Sequence, residues 1–308
     1  RYDFYHRVES RIRFDLDLFN KITKGGFPIK TLNIALAGTG VGKSLFMCHC
    51  AASSISQGHN VLYITMEMAE EKIAERIDAN LMNIDLNELQ TISKSEYERK
   101  FEILKSKTHG KLIIKEYPTA AAHAGHFRSL LNELKLKKNF TPDIVFIDYL
   151  NICCSARIKM GGSVNTYSYI KSIAEELRGL AVEFNVPVVS ATQTTRSGFT
   201  STDVGLEDTS ESFGLPATAD FMFALISTEE LEQLNQMMVK QLKNRYGDPN
   251  VYKRFVIGVD RSKMRLYDAE QSAQNDIIDS GQEIEDKPLN TFGNRERRLN
   301  NKFDSFKV

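Results

Sequence analysis

The sequence predicts an α/β fold: a doubly wound, mostly parallel sheet flanked by helices, with an antiparallel extension at one edge. Three observations carry that expectation. Short apolar runs alternate with longer stretches of helical character, and a glycine-rich turn joins the first clear strand to the first long helix. Beyond Phe221 the apolar runs follow one another with no long helix between them. Alternating strands and helices favour parallel pairing, whereas consecutive strands favour antiparallel pairing.

Each element has its own signal. Thr31 to Ala37 (TLNIALA) is a short apolar run bounded by glycine-containing turns, as a buried strand is. Lys43 to Gln57 is rich in small and apolar residues and stops at Gly58, a suitable C-terminal cap for a helix. Asn60 to Met66 (NVLYITM) is the next strand, so strand, helix and strand fit the length of a right-handed crossover unit. Helices are expected near Ala69 to Asn83 and Ser93 to Ser106, a strand at Lys111 to Tyr117, and a helix at His123 to Lys138. Strand Ile144 to Ile147 ends at Asp148, helix Tyr167 to Phe184 follows, and Val186 to Ala191 is again an apolar strand. The edge extension is read as Phe221 to Ile226, Met238 to Lys243, Arg254 to Asp260 and Lys263 to Tyr267.

A chain of 308 residues fits one large domain. We assign that domain to 14–270, with 1–13 as the remnant of a preceding linker and 271–308 as a flexible polar tail too poor in apolar residues to order itself. A chain beginning at Arg1 is expected to be a fragment. No apolar run approaches the roughly 20 residues needed to span a bilayer, and no signal peptide is recognisable, so a cytoplasmic protein is expected. The four cysteines (Cys48, Cys50, Cys153, Cys154) lack zinc-ligand spacing and are expected to be reduced and mostly buried. Lysine plus arginine balance aspartate plus glutamate at 40 each, which argues against a bulk polyelectrolyte binder; any nucleic acid must be held locally.

The chemistry concentrates in Ala37-Gly38-Thr39-Gly40-Val41-Gly42-Lys43-Ser44, which fits the phosphate-loop pattern with alanine at its first glycine; Leu45 follows. A strand runs in and a helix runs out, so successive amides and the helix N-terminus face phosphate oxygens. Lys43 is expected on the β- and γ-phosphates of ATP, GTP or another nucleoside triphosphate, and the Ser44 hydroxyl on Mg2+. Asp148, ending its strand about a hundred residues later, is placed to hold the same metal, although a strand-terminal aspartate is also an ordinary turn residue. Glu67 sits just past the strand that follows the phosphate-loop helix. It emerges at the same edge as Lys43 and is our general base, the alternative being a solvated glutamate ahead of Glu70 and Glu71. Gln193, just past another apolar strand, is placed to sense the γ-phosphate or is simply a polar loop residue.

These motifs also carry a resemblance. AGTGVGKS, TMEM around Glu67, FIDYL around Asp148, SATQTTR around Gln193 and KNRYGDP around Arg245 occur in the order found in the motor domain of DnaB-type replicative helicases, from about Phe14 to Tyr267. The resemblance implies a RecA-like phosphate-loop fold, a ring of six copies, 5′ to 3′ movement on single-stranded DNA, and a primase and a helicase loader as partners. It further implies that Asp148 is the metal-holding aspartate and Glu67 the catalytic glutamate. Lys243 with Arg245 then forms a pair acting on a neighbouring subunit's γ-phosphate, and Gln193 is a sensor. The DNA-contacting element of relatives is only partly kept, at Ser210, Glu211 and Phe213. Two loops are further candidates for DNA: 155–166, with Arg157 and Lys159, and 194–212, with Arg196. Both are equally readable as solvated surface loops. A filament-forming recombinase and a RecA-like ATPase acting on protein remain the alternatives from other functional classes.

Overall fold

Alternation of side-chain direction along each strand decides which face of the sheet a residue covers. The computed structural model describes residues 9–159, 164–194 and 214–275, together with Tyr2 and Gly205. The described residues lie within one compact unit, Arg1–Ile277; a second unit, Ile278–Val308, falls outside them. Of the expected tail, Gln271–Asn275 forms a short helix, and the part from 276 onward lies outside the described residues.

Two short strands, β1 (Arg11–Ile12) and β2 (Phe27–Pro28), make a small sheet of their own. Among the described residues the main sheet has nine: β3 (Leu32–Ala37), β4 (Val61–Thr65), β5 (Leu112–Glu116), β6 (Ile144–Asp148), β7 (Val188–Gln193), β8 (Phe221–Ile226), β9 (Gln236–Asn244), β10 (Arg254–Asp260) and β11 (Arg265–Asp268). Their order is β11-β10-β9-β8-β3-β7-β6-β4-β5. All pairings from β8 to β5 are parallel, and those among β8, β9, β10 and β11 are antiparallel. The doubly wound sheet and its antiparallel edge are as expected. One detail differs: β8 pairs parallel with β3, so the antiparallel part begins at β9. The chain enters β8 beside the start of β3, where Asp220 N donates to Leu32 O at 2.9 Å, and the two strands consequently run the same way.

Two cores cover the two faces, as period-2 alternation requires. Ala35, Ala37, Tyr63 and Phe146 face one core, and Ile34, Leu36, Leu62 and Ile147 face the other. The helix Lys43–Ser56 packs into the first core through Phe46 and Met47, and Thr166–Phe184 into the second through Ile173, Leu177 and Leu180. Gly58, just past the first of these helices, takes φ +91°, the left-handed position expected of it.

The hairpin of β1 and β2, and the short helix Asp17–Ile22 between them, are not among the elements expected from sequence. Such brief elements have no readable period. Aromatic packing holds them: Phe19 contacts Phe14, Phe46, Phe223 and Phe255, and Phe14 contacts Phe27, with centroids 4.3–5.5 Å apart. Gly26 is required there, since at φ +126° a Cβ would stand 2.1 Å from Ile12 O.

Candidate active site

Parallel strands deliver their C-terminal residues to one edge, and the register aligns Ala37 with Gln193 and Thr65 with Asp148. The phosphate loop (38–42) leaves β3 at that edge, with Gly40 at φ +77° and Gly42 at φ +142° before the helix Lys43–Ser56 starts. No side chain caps that helix, and its first intrahelical donor is Phe46 N, to Gly42 O (2.9 Å). The amides of Lys43, Ser44 and Leu45 have no carbonyl one turn back, so an anion is their natural acceptor. Lys43 is buried, donates to Gly38 O (3.2 Å) and stands over the Tyr149 ring at 5.8 Å. Burial lowers the pKa of its amine, while Glu67 and Asp148 act in the opposite direction.

Asp148 ends β6 and is fully buried. Burial raises its pKa above the ordinary carboxylate value; the Tyr63 hydroxyl and, less strongly, Ser44 favour the charged form. Tyr63 Oη donates to Asp148 Oδ2 at 2.9 Å, whereas Oδ1 is buried with no hydrogen-bond partner among the described residues. A lone anionic oxygen next to the Ser44 hydroxyl fits hydrated Mg2+, which keeps several waters and takes only one or two protein oxygens. Glu67 lies in the turn after β4. Thr65 Oγ1 closes that turn, donating to Met68 O (2.7 Å) and accepting from Met68 N (3.2 Å), and Glu67 remains exposed toward the cleft.

The cleft unites Thr39, Gly40, Gly42, Lys43, Ser44 and Leu45 with Glu67 and Gln193. Gln193 Nε2 donates to Thr39 Oγ1 at 2.7 Å. Four residues of the cleft were not singled out as site residues from sequence, the first being Met68 beside Glu67. Arg76, on the helix Glu70–Met82, lines it, as do Arg261 and Met264 from the turn between β10 and β11. The Arg261 guanidinium donates to Val41 O (3.3 Å) and pairs with Glu232 (3.7 Å). A usable signal exists for Arg76: it stands three residues after Ile73 and one before Ile77, so it borders the buried stripe of the helix that follows Glu67. A turn 220 residues from Val41 carries none.

Lys243 and Arg245 lie elsewhere. Asn244 pairs with Phe221, which pairs with Asn33, so the two cations stand at the opposite edge of the sheet from their own phosphate loop. They point to one side: Ala217 O accepts from Lys243 Nζ (2.9 Å) and from Arg245 (3.3 Å), and Arg245 also pairs with buried Asp220 (2.7 Å). Asp220 is further held by Arg178 through two bonds of 3.0 and 3.1 Å and by Leu32 N at 3.0 Å.

Of the expected DNA contacts, Arg157 and Lys159 are placed on the loop following β6; Arg196, Ser210, Glu211 and Phe213 lie outside the described residues. The root of that first loop is tied to Glu176. Its carboxylate accepts from the amides of Ala156 (2.9 Å) and Arg157 (3.4 Å) and from the hydroxyls of Ser155 (2.6 Å) and Ser172 (3.2 Å). All four cysteines are free thiols, three of them buried, and among the described residues no helix is long and apolar enough to cross a membrane.

A phosphate loop with two carboxylates at the C-terminal edge of such a sheet is an arrangement suited to holding a nucleoside triphosphate. Comparison with known proteins gives the family. The family model "DnaB-like helicase C terminal domain" matches residues 12–256, and the chain belongs to that family. It is 50% identical over 272 residues to the DnaB-like replicative helicase of Enterobacteria phage T4, an alignment covering 87% of this chain and 57% of that protein. The chain thus spans little more than half the length of that relative. Two solved structures share the fold: the ATPase domain of G40P (TM-score 0.70, 19% identity, covering 87% of this chain and 96% of that one) and a DnaB-like replicative helicase studied with its primase interactions (TM-score 0.71, 18% identity, 87% and 64%).

Proposed function

We propose that this chain is the motor of a replicative DNA helicase, a ring of six copies that hydrolyses ATP or another nucleoside triphosphate and moves 5′ to 3′ on single-stranded DNA. One observation carries the assembly: the hydrolytic groups divide between opposite edges of the sheet. Phosphate loop, Glu67, Asp148 and Gln193 share one edge, and Lys243 with Arg245 occupy the other. No single copy can bring both sets to one nucleotide, whereas a head-to-tail assembly can, and the family match favours its closure into a ring.

In this reading Lys43 and the loop amides hold the β- and γ-phosphates, and Ser44 and Asp148 hold Mg2+. When bound, the metal neutralises charge on the phosphate oxygens. Glu67 accepts a proton from the attacking water, whose oxygen bonds to the γ-phosphorus as the bond to the leaving diphosphate breaks. Arg245 and Lys243 of the adjacent copy stabilise the charge on the transferring group. Gln193, bonded to Thr39, reports the state of the γ-phosphate to the segment after β7, and Arg157, Lys159 and Arg196 track the DNA backbone without reading bases. A primase and a loader are proposed as partners. The family match favours this reading over a recombinase or a protein-directed ATPase.

The test is nucleotide hydrolysis with and without single-stranded DNA, alongside particle imaging. Closed six-membered rings and DNA-stimulated turnover support the proposal. An open helical polymer, or hydrolysis indifferent to DNA, contradicts it.

A further inference from the structure

We propose that Tyr63 is a positioning residue that divides the two oxygens of Asp148, holding one for the protein and leaving the other for the metal. This rests on the nucleotide-site reading and goes beyond it, because Tyr63 lies buried inside the sheet and does not line the cleft.

The geometry begins with strand pairing. Tyr63 on β4 is the register partner of Phe146 on β6, and the two rings stack at 5.8 Å and 16°. Locked in that stack, and fully buried, the ring sends its hydroxyl to Asp148 Oδ2, where it donates at 2.9 Å. Behind the hydroxyl stands the Cys48 thiol of the phosphate-loop helix, 3.9 Å away. The phenol is therefore enclosed by packing and has one strong acceptor.

The consequence lies in what remains. Asp148 is buried, its Oδ2 has a partner, and its Oδ1 has none among the described residues. A carboxylate is free to rotate about its last bond unless an outer contact fixes it, and such contacts control how well a carboxylate presents itself to a metal. A buried, unpartnered anionic oxygen is costly, so the pose makes sense when a cation completes it. A phenylalanine at 63 would preserve ring packing and strand pairing but leave Oδ2 unpartnered as well, and the carboxylate would lose its orientation.

The experiment compares Tyr63→Phe with the parent chain. Nucleotide affinity is measured in EDTA and across a Mg2+ titration, and Mn2+ bound with nucleotide is followed by electron paramagnetic resonance. We expect Mn2+ affinity to weaken, and the half-saturating Mg2+ concentration to rise, by about 10-fold or more, with metal-free nucleotide affinity within about twofold of the parent. Unchanged Mn2+ affinity overturns the proposal, as does an equal loss of metal-free binding, which would mark a packing defect. If Tyr63→Phe does not fold, 3-fluorotyrosine at position 63 keeps the donor and alters its strength. It must then shift Mn2+ affinity, and no shift overturns the proposal. Asp148→Asn separates the two readings: if that variant leaves metal-dependent nucleotide binding intact, the nucleotide-site reading itself fails.

Discussion

The Gln193 side-chain amide donates to Thr39 Oγ1 at 2.7 Å, joining the last residue of β7 to the phosphate loop. The bond spans two neighbouring strands, since Ala37 and Gln193 are register partners. A change at the γ-phosphate that moves Thr39 must therefore be felt where the chain leaves β7. Gln193→Ala should leave nucleotide affinity nearly unchanged and reduce the stimulation of turnover by DNA by about fivefold or more, the lower end of ordinary coupling energies. Basal and DNA-stimulated rates, measured side by side, check this. Intact stimulation would remove Gln193 from the coupling.

Glu67→Gln should separate binding from turnover. The amide keeps the shape of the side chain and cannot take the proton from water, so hydrolysis should fall by roughly 100-fold or more while nucleotide affinity stays within about threefold. Single-turnover hydrolysis and equilibrium binding measure the two independently. A variant retaining more than about a tenth of the parent rate would show that another group acts as base.

For the loop proposed to contact DNA, the expectation concerns salt. Neutralising Arg157 and Lys159, together with Arg196, should lower the slope of log affinity against log salt by about 0.7 for each phosphate no longer neutralised, equally for all base sequences. Glu176→Gln should act in the same direction without removing a cation, because its carboxylate gathers the amides of Ala156 and Arg157 at the loop root. Filter binding over a salt series, with basal turnover as control, tests both variants. Equal loss of basal and DNA-stimulated rates would take these residues out of the channel.

How far the sequence reaches follows from which signals are local. A strand such as TLNIALA is readable because burial on both faces forces a continuous apolar run between glycine turns, and Asp148 is readable because it breaks such a run at its end. Tyr63 carries no comparable mark: in VLYIT a tyrosine is one more bulky residue, and only the pairing of β4 with β6 brings its hydroxyl to Asp148. Arg261 is invisible for a similar reason, since its turn reaches Val41 through the antiparallel edge. The i, i+2 spacing of Lys243 and Arg245 does put both on one side. Which end of the sheet they occupy depends on the direction of β9, and that is fixed by pairing with β8.

That position leads to the central claim, that Arg245 with Lys243 serves the nucleotide of an adjacent copy. Within its own chain Arg245 is tied to Asp220, at the edge opposite Lys43. Asp220 keeps two bonds from Arg178 when Arg245 leaves, so the release strands no buried charge. Delivered across an interface, the guanidinium should be worth roughly 10³ to 10⁵ in rate. Arg245→Ala and Lys43→Ala chains should each be inactive alone. The decisive measurement is hydrolysis by their mixture, in which some interfaces pair an intact phosphate loop with an intact arginine: partial recovery is the predicted result, and mixed rings without recovery, or full activity of Arg245→Ala alone, would contradict it.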